Sequence, residues 1–481
     1  MQVTPRPLYI PPLCAGDMKS ILPDASCFTL HNNGYFQRAI SESASIERNG
    51  LPTPPPEISS ECRPEDNNVT KESLHTPAPD PIVAVIGVGY IGLELASIFA
   101  GVYNNIIAFD ISNQRIEDIR VDLANKNIKA TSNPSDIAVA THFLICVPTT
   151  LQHGCIDTTP LTSAIGLLFK YANPGSTVVI ESSVAVGMTR QLLKDVIISR
   201  GLMAGMSPER VDPGRFSPAF KDIPKIISGL DDIAPGSLQS IQRLYGRVFH
   251  DLVPVSCPEV AEMTKLYENC QRMVCIAFAN EMADACRSIG ISAMEVSKAA
   301  ATKPFGYQPY FPGLGVGGHC IPVNPYYLLS TSNLPLLRAA TEKMTKRPTT
   351  LGTRAMKKFY CTQALDTKPR ATRARVLVVG VGFKRGQSVL SNSPGLALIQ
   401  HLRNEWEALV EYADPLVPQE KLPFIPKLDE SRRWNVGSLS EEFDVILVAV
   451  DQPGLDLTVL RRLDGVLVEN FTFSVAAGWS Q

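Results

Sequence analysis

Short apolar runs alternate with longer amphipathic stretches from Ile82 onward. Helical stretches separate apolar runs at 82–86, 106–109, 143–147 and 178–180. A second series of the same kind has its apolar runs at 375–380, 408–412, 445–450 and 466–468. Such alternation is typical of parallel sheets wound with helices. The pattern therefore predicts an α/β fold with two doubly wound parallel-sheet domains.

A long helical region, from about Pro258 to Ile289, lies between the two series. Apolar residues recur there at helical spacing: Val260, Met263, Tyr267, Cys270, Val274, Phe278 and Met282. The run is long enough for a spine helix that links domains or joins subunits. Residues 347–372 are basic and hold few large apolar groups, so we expect a linker there.

Residues 1–80 differ from the rest of the chain. Twelve of these residues are prolines. Much of the remainder is serine, threonine and acidic residues, and apolar periodicity is absent. This composition predicts a disordered extension, with a segment for a proline-recognising domain as the alternative. The expected organisation is an extension at 1–80, an N-terminal domain at 81–250, a helical middle region at 251–346, the linker at 347–372 and a C-terminal domain at 373–481.

Composition narrows the possible functions. The 481 residues suffice for about three domains. With 45 basic and 47 acidic residues, the net charge of −2 argues against binding to nucleic acid or to an anionic membrane through bulk electrostatics. The 11 cysteines lack a CxxC pair or regular spacing with histidine, so we expect neither a disulfide scaffold nor a metal site.

The location predicted from the sequence is the cytoplasm. The first 30 residues contain no continuous apolar core, so no secretory signal is expected. The apolar stretch 82–103 contains Glu94 and clustered glycines. A buried strand, a tight turn and a buried helix explain this stretch better than a membrane span does.

A glycine-rich turn follows the first strand and opens a helix, with the sequence Gly87-Val-Gly89-Tyr90-Ile91-Gly92. The first glycine permits the turn, the second lets the backbone approach a pyrophosphate, and the third lets helix and strand pack closely. The same turn also occurs as mere close packing of a strand and a helix. The full strand–turn–helix–strand context favours a dinucleotide site in a Rossmann-like domain.

The next strand ends at Asp110, 18 residues beyond Gly92, close to the spacing expected for a ribose-binding carboxylate. Such a carboxylate accepts both ribose hydroxyls of NAD and repels the extra phosphate of NADP. No arginine stands next to Asp110, so the turn predicts NAD as the cofactor. Arg115, in the helix that follows, completes the predicted cofactor contacts.

Three segments further along carry reactive side chains. The loop Ser207-Pro-Glu209-Arg and the helix face with Glu262, Lys265 and Asn269 each have an alternative interpretation as solvated surface. The third segment, 312–327, places four glycines within six residues ahead of Cys320. Such a loop approaches a ligand with bare backbone, and it leaves the cysteine open to substrate. Most cysteines are instead small buried hydrophobes.

In order and spacing, these motifs resemble those of the UDP-glucose/GDP-mannose dehydrogenase superfamily, and the resemblance runs from about Ile82 to Val468. The forms of the loops at Glu209 and Cys320 are closer to the UDP-N-acetylhexosamine branch than to the UDP-glucose branch. The resemblance implies NAD-dependent oxidation of the C6 alcohol of a UDP-sugar to the uronate, through a thiohemiacetal and a thioester. It also implies a homodimer or higher homo-oligomer built on the middle helices.

The resemblance implies roles for individual residues. Cys320 matches the nucleophile, and Lys265 matches the lysine that stabilises the developing oxyanion. Asn269 matches its partner in holding substrate and intermediate, and Glu209 matches the carboxylate that assists hydrolysis of the acyl intermediate. The expected substrate contacts are Lys384, Gly317 and Gly318.

The chain departs from the family pattern at four positions. Ser183 stands where threonine is usual and keeps a hydroxyl, whereas Asn324 replaces an aspartate and removes a charge beside Cys320. Ser391 and Phe471 replace arginines of the C-terminal domain. Because a charged contact to phosphate contributes about 1.5–3 kcal/mol, the last two changes predict weaker binding of the nucleotide sugar.

These departures leave a second function open, that of a catalytically weakened homologue that binds NAD or a nucleotide sugar in a regulatory or assembly role. A two-electron β-hydroxyacid dehydrogenase is a third interpretation, but it leaves the cysteine loop and the C-terminal domain unexplained. Retention of the four reactive residues favours the nucleotide-sugar 6-dehydrogenase, slowed by Asn324.

Overall fold

The computed structural model describes residues 80–123, 126–152, 155–212, 217–363 and 373–472. The extension predicted at 1–80 lies outside the described residues apart from Asp80, and so do residues 364–372 of the predicted linker. Apart from Gln152 and Cys155, the described residues belong to one compact unit.

The N-terminal part of the chain forms an eight-stranded sheet. Its strands, with those of a separate two-stranded sheet, are β1 (Ile82–Ile86), β2 (Asn105–Phe109), β3 (Ile128–Thr131), β4 (His142–Ile145), β5 (Thr150–Gln152), β6 (Cys155–Asp157), β7 (Thr177–Ile180), β8 (Met203–Met206), β9 (Lys225–Gly229) and β10 (Leu252–Pro254). The order is β10-β9-β8-β7-β4-β1-β2-β3, and β5 pairs with β6. Neighbours are parallel except β8 and β9, which are antiparallel.

Helices cover both faces of this sheet. They are α1 (Tyr90–Ala100), α2 (Asn113–Leu123), α3 (Thr159–Tyr171), α4 (Met188–Arg200) and α5 (Ser237–Tyr245). Successive residues of β1 pack into different clusters, Ala84 and Ile86 on one face and Val83 and Val85 on the other. A strand buried on both faces reads as a continuous apolar run, which is why the sequence pattern located β1.

The middle region is helical, with α6 (Pro258–Ser288), α7 (Ala293–Ala300), α8 (Asn324–Leu329) and α9 (Pro335–Gln363). The spine helix predicted from Pro258 is present as α6. Its predicted apolar stripe, however, faces outward over most of its length: Val260, Met263, Tyr267, Phe278 and Met282 are 41–68 % exposed. The face buried within the chain carries smaller residues and the reactive side chains, such as Ala261 and Lys265.

Residues 347–363 form the second half of α9 rather than a linker. Leu351, Ala355, Met356 and Phe359 recur there at helical spacing and pack into the core of the C-terminal domain. The basic residues between them hide this pattern in the sequence. One helix, α9, therefore runs from the middle region into the core of the C-terminal domain and ends at Gln363.

The C-terminal sheet has four parallel strands, β11 (Arg375–Val379), β12 (Leu409–Ala413), β13 (Val445–Val448) and β14 (Leu467–Asn470), in the order β12-β11-β13-β14. Its helices are α10 (Pro394–Glu405), α11 (Glu430–Arg433) and α12 (Val436–Glu442). The prediction of two Rossmann-like sheets joined by a helical middle is confirmed. Within the described ranges, no helix has the length and apolar content that a membrane span requires.

Candidate active site

The glycine-rich turn links β1 to α1 at the carboxyl edge of the N-terminal sheet. Gly87 N donates a hydrogen bond of 2.8 Å to Phe109 O, which ties the turn to the end of β2. A Cβ atom on Gly92 would lie 1.9 Å from Gly87 O, so no other residue fits there. The third glycine therefore sets how closely α1 packs on the turn, as the sequence predicted.

The groups around this turn fit a dinucleotide. No side chain caps α1 at Gly89, and no heavy atom lies within 4 Å of the position a Cβ would occupy there. The start of α1, at Tyr90 and Ile91, thus has no side-chain cap and open space beside Gly89, an arrangement that favours an anion such as a pyrophosphate. Asp110 Oδ2 accepts from Val88 N over 3.1 Å, so this carboxylate borders the same space.

Arg115 belongs to the same turn. Its Nε donates to Val88 O over 2.8 Å, and its Nη2 donates to Gly89 O over 3.4 Å. The guanidinium therefore braces the backbone that faces the ligand. The sequence analysis found no arginine next to Asp110, and the fold brings one to the turn from α2.

A buried pair of charges stands at the centre of the candidate active site. Lys265 Nζ, on α6, lies 3.7 Å from Glu209 Oε2, in the loop after β8. The two residues are 5 % and 8 % exposed. Neither side chain belongs to a solvated surface. The interpretation of the Glu209 loop and of the α6 face with Lys265 as solvated surface is therefore wrong.

Cys320 joins this centre from the glycine-rich loop. Its carbonyl accepts from Asn324 N over 2.9 Å at the start of α8. Asn269 Nδ2 in turn donates to Asn324 Oδ1 over 2.5 Å, and Asn324 is only 2 % exposed. An amide–amide hydrogen bond therefore occupies the place where the family pattern has an aspartate.

The electrostatics of the centre follow from its burial. Burial raises the pKa of the Cys320 thiol, Lys265 opposes this shift, and Glu209 and Asp212 add to it. Burial also raises the pKa of Glu209, against the charges of Lys265 and Lys225. Without substrate the thiol is therefore held in its neutral form, and the positive charges of Lys265 and Arg272 favour its ionisation.

The cysteine loop is fastened to the C-terminal domain. Gly318 N donates to Ser391 O over 2.9 Å, and His319 Nε2 lies 2.8 Å from Ser391 Oγ. Gly318 has φ of +92°, and a Cβ there would lie 2.9 Å from Phe383 Cε2. Ser391, which replaces an arginine of the family pattern, thus has a structural role.

A cleft of about 610 Å³ lies between the start of the cysteine loop and the carboxyl edge of the C-terminal sheet. Its lining comprises Pro312, Gly313, Leu314, Gly315, Phe383, Lys384, Arg385, Pro394, Ala449, Val450, Asp451, Phe471 and Thr472. Lys384 Nζ donates to Asp212 Oδ1 over 3.0 Å, so the predicted substrate lysine reaches across to the N-terminal part. Phe471 is buried in the core of the C-terminal domain and offers a ligand no charge.

The structure thus brings Cys320, Lys265, Glu209, Asn269 and Asn324 together. Gly317 and Gly318 adjoin Cys320 in the loop, and Lys384 lines the cleft. Ser183 lies just beyond β7, where its carbonyl accepts from Thr149 Oγ1 over 2.8 Å. No group of three or more possible metal ligands occurs within the ranges that the structure describes.

The sequence analysis missed a buried network beneath the Glu209 loop. Lys225 Nζ donates to Glu181 Oε2 over 2.5 Å, and Tyr245 OH donates to Glu181 Oε1 over 2.5 Å. Lys225 Nζ also lies 3.3 Å from the carbonyl oxygens of Ser207 and Pro208. The network therefore fixes the two residues that precede Glu209. The lysine that opens the apolar run 225–229 was the available signal.

Glu262 has a structural role. Its carboxylate accepts from Gly187 N over 2.5 Å and from Thr189 N over 2.8 Å, so it caps the start of α4. It shares a helical face with Lys265 and Asn269 but does not join them in the reactive centre.

Comparison with known proteins agrees with this geometry. Residues 82–249 match the NAD binding domain of the UDP-glucose/GDP-mannose dehydrogenase family, and residues 259–343 match its central domain. UDP-N-acetyl-D-mannosamine dehydrogenase of Pyrococcus horikoshii is 30 % identical over 77 % of this chain and 89 % of its own length. The chain belongs to the UDP-glucose/GDP-mannose dehydrogenase family.

Other relatives in this family carry names of the hexosamine branch, as the motifs predicted. UDP-N-acetyl-D-glucosamine 6-dehydrogenase of Pseudomonas aeruginosa is 31 % identical over 70 % of this chain and 83 % of its own length. The solved structure of the UDP-D-ManNAc dehydrogenase from Pyrococcus horikoshii has a TM-score of 0.71 at 26 % identity, covering 81 % of this chain and 94 % of that one. The predictions of an NAD-dependent nucleotide-sugar dehydrogenase and of NAD as its cofactor are confirmed.

Proposed function

We propose that this chain oxidises the C6 alcohol of a UDP-N-acetylhexosamine to the carboxylate, in two successive oxidations at one site. The observation that carries the proposal is the convergence of Cys320, Lys265 and Glu209 around one buried point. The names of the relatives favour an N-acetylhexosamine over glucose as the sugar. UDP-glucose remains the second substrate to test.

The first oxidation depends on Lys265. As hydride leaves C6, the alcohol loses its proton and its oxygen carries negative charge. The buried ammonium of Lys265 stabilises that charge, which water in an open site would screen. NAD, held at the glycine-rich turn and Asp110, supplies the hydride acceptor for both oxidations.

Cys320 then retains the aldehyde. Its sulfur forms a bond to the aldehyde carbon, and the thiol proton ends on the oxygen as a thiohemiacetal hydroxyl. Loss of a second hydride from the same carbon, with the hydroxyl proton, leaves a thioester. The raised pKa of Cys320 means that bound substrate and Lys265 must assist this attack.

Hydrolysis of the thioester completes the cycle. Glu209 takes a proton from water, the remaining hydroxide adds to the acyl carbon, and the Cys320 sulfur leaves and regains a proton. The raised pKa of Glu209 makes it a stronger base than an ordinary carboxylate. One alcohol, one water and two NAD⁺ thus give one carboxylic acid, two NADH and two protons.

Asn324 lies beside this last step. Its side-chain amide accepts from Asn269 but cannot take a proton at neutral pH. We therefore propose that hydrolysis limits turnover and that the thioester on Cys320 accumulates.

The second candidate function is a weakened homologue that binds its ligands without efficient turnover. It is favoured by the structural roles of Ser391 and Phe471 at positions where phosphate contacts are expected. Incubation of the protein with NAD and UDP-N-acetylglucosamine, UDP-N-acetylmannosamine or UDP-glucose separates the two functions. Formation of NADH supports the enzyme, and ligand binding without NADH supports the alternative.

We also propose a cytoplasmic homodimer formed through the outward stripe of α6. The stripe exposes Tyr267 and Phe278 at 68 % and 60 %, which is unusual for large apolar side chains on an unpartnered helix. Light scattering after size-exclusion chromatography should give twice the chain mass. Tyr267→Asp should reduce the mass to that of a monomer, and Lys357→Asp, at an exposed position of α9, should leave the dimer intact.

A further inference from the structure

Three arginines from two helices meet beside the substrate cleft. A small cavity is lined by Arg287 of α6 and by Arg347 and Arg354 of α9, together with Asn470 and Phe471. It shares Pro312, Gly313 and Phe471 with the 610 Å³ cleft. The cluster therefore adjoins the cleft at the position where the family pattern has an arginine and this chain has Phe471.

The guanidinium of Arg347 is engaged in hydrogen bonds within the chain. Its Nη1 and Nη2 donate to Asp284 over 2.7 and 3.2 Å, and its Nε donates to Gly313 O over 2.9 Å. It is 8 % exposed. These bonds hold the start of the cysteine loop against α6 and α9, so Arg347 has little left to offer a ligand.

Arg354 lacks hydrogen bonds of this kind. Its Nη1 lies 3.9 Å from Asp284 Oδ1, beyond hydrogen-bond distance, and its buried Nη2 has no hydrogen-bond partner within the part of the chain that the structure describes. Burial and the positive charges of Arg287 and Arg347 lower the pKa of Arg354, and Glu469 and Asp284 offset this shift only in part. Both its geometry and its electrostatics thus favour an added anion.

The neighbouring acids do not neutralise the cluster. Asp284 already pairs with Arg347, and Glu469 lies 2.8 Å from Lys358. Arg287 is exposed at the edge of the same cavity. Two acids thus stand against four basic residues, three of which line the small cavity, and this leaves a surplus of positive charge beside the cleft.

The size of the cavity limits what enters it. Its volume is about 20 Å³, room for little more than one water-sized group. An oxygen of a phosphate fits, whereas a sugar or base must lie in the larger cleft. Guanidinium groups suit phosphate because their N–H groups form a planar fork.

We propose that Arg354 and Arg287 bind a phosphate of the nucleotide sugar at this end of the cleft. They would thereby replace the arginines absent at Ser391 and Phe471. This inference rests on the proposed function for the identity of the ligand. It assigns the phosphate contact to the helical middle region as well as to the C-terminal domain.

The test measures binding, independently of turnover. The intact protein is titrated calorimetrically with UDP and, separately, with inorganic pyrophosphate. Arg354→Met should weaken UDP binding by about 10- to 100-fold, the loss of one charged contact to phosphate, and Arg287→Met should weaken it less. Lys357→Met, an exposed change on the same helix, should leave UDP binding unchanged, and all variants should bind NAD as the original chain does.

Stability serves as the second readout. Because Arg354 is half-buried beside like charges, Arg354→Met should keep or raise the melting temperature without ligand. UDP should raise the melting temperature of the original chain and not that of Arg354→Met. Arg354→Lys, which keeps the charge but not the fork, should bind UDP with intermediate affinity.

The outcomes separate this inference from the proposed function. UDP binding that is equal in the original chain and in Arg354→Met overturns the inference and leaves the enzyme function standing. UDP binding that depends on Arg354, without NADH from any UDP-sugar, supports the inference and contradicts the enzyme function. Binding of pyrophosphate but not of UDP, or of neither, overturns the assignment to a nucleotide sugar.

Discussion

The candidate active centre and the edge of the C-terminal domain that lines the cleft differ in the charged side chains that they carry. At the centre, Lys265 and Glu209 remain paired, and Asn269 keeps its hydrogen-bonded neighbour. At the edge, Ser391 fastens the cysteine loop and Phe471 fills the core. Changes at the edge should therefore act on substrate affinity, and changes at the centre should act on chemical steps.

Burial explains this contrast. Removing one partner of a buried charge pair leaves the other uncompensated, at a cost of about 3–5 kcal/mol. A charge at the rim of an open cleft is surrounded by water. If such a charge is lost from one position, a basic residue of another helix can replace it. The edge therefore tolerates substitutions that the centre does not, and the arginines of α6 and α9 stand where such a replacement is possible.

The largest expected effect is at Cys320, the proposed nucleophile. Cys320→Ala should abolish formation of the acid, because the aldehyde is no longer held for the second oxidation. NAD affinity should be unchanged, since the glycine-rich turn is formed by a separate part of the chain. Chromatographic assay of the uronate tests this, with Cys361→Ala, an exposed cysteine, as the matched control. Acid formation at the original rate by Cys320→Ala would contradict the covalent mechanism.

The next effect is at Asn324. Asn324→Asp should raise steady-state turnover by about 10²-fold, the lower end of what a positioned acid–base group contributes. The original chain should show a burst of NADH and, by intact-protein mass spectrometry, an acyl adduct on Cys320. The adduct should be scarce in Asn324→Asp. Equal turnover in both proteins, with no adduct in either, would show that the amide is a harmless replacement.

A pair of variants tests the edge of the cleft. Lys384→Met should raise KM by roughly tenfold or more and change kcat little, because we propose that this lysine of the cleft contacts substrate away from the reacting carbon. Asp212→Asn should lower KM by at most about fivefold, since it releases Lys384 from a half-exposed ion pair. A change in kcat alone for Lys384→Met would place this lysine in the chemical steps instead.

The smallest effect is on stability. The pKa of Glu209 is raised by burial above its ordinary value of 4.5, so the folded state holds this proton to higher pH than the unfolded state. The carboxyl thus lowers stability as pH rises from 4.5 through its folded pKa, and Glu209→Gln lacks this penalty. The melting temperature of Glu209→Gln minus that of the original chain should therefore increase by a few degrees as pH rises from acidic to neutral.

The control for this experiment is Glu281→Gln, at an exposed glutamate of α6. Its melting temperature relative to the original chain should not vary with pH to the same degree. A relative melting temperature of Glu209→Gln that falls as pH rises would mean that the pairing with Lys265 outweighs burial.

Much of the fold was accessible from the sequence because strands buried on both faces are continuous apolar runs. The turn at Gly87 and the loop at Cys320 were accessible because only glycine permits such close approach. The second half of α9 was not, because its buried positions are spread among basic residues. The exposure of the apolar stripe of α6 was not predictable either. Helical spacing shows that apolar residues share one face of a helix, but it does not show what packs against that face.

The sequence analysis predicted the reactive residues of the candidate site. It missed the buried residues that hold them in place. Lys225 and Glu181 are 44 positions apart in the chain and meet only after β7 and β9 enter one sheet. Arg354 was hidden in a segment expected to be a linker. Partners of this kind depend on tertiary contacts, which spacing within one segment does not encode.

The most direct measurement of the central claim is the number of NADH formed per sugar consumed. Rapid quenching of the protein with NAD and a limiting amount of UDP-N-acetylhexosamine should give two NADH for each sugar converted, with the acid as the only released product. In Cys320→Ala the ratio should not exceed one. A ratio of one in the original chain, with aldehyde released, would contradict a four-electron oxidation through Cys320.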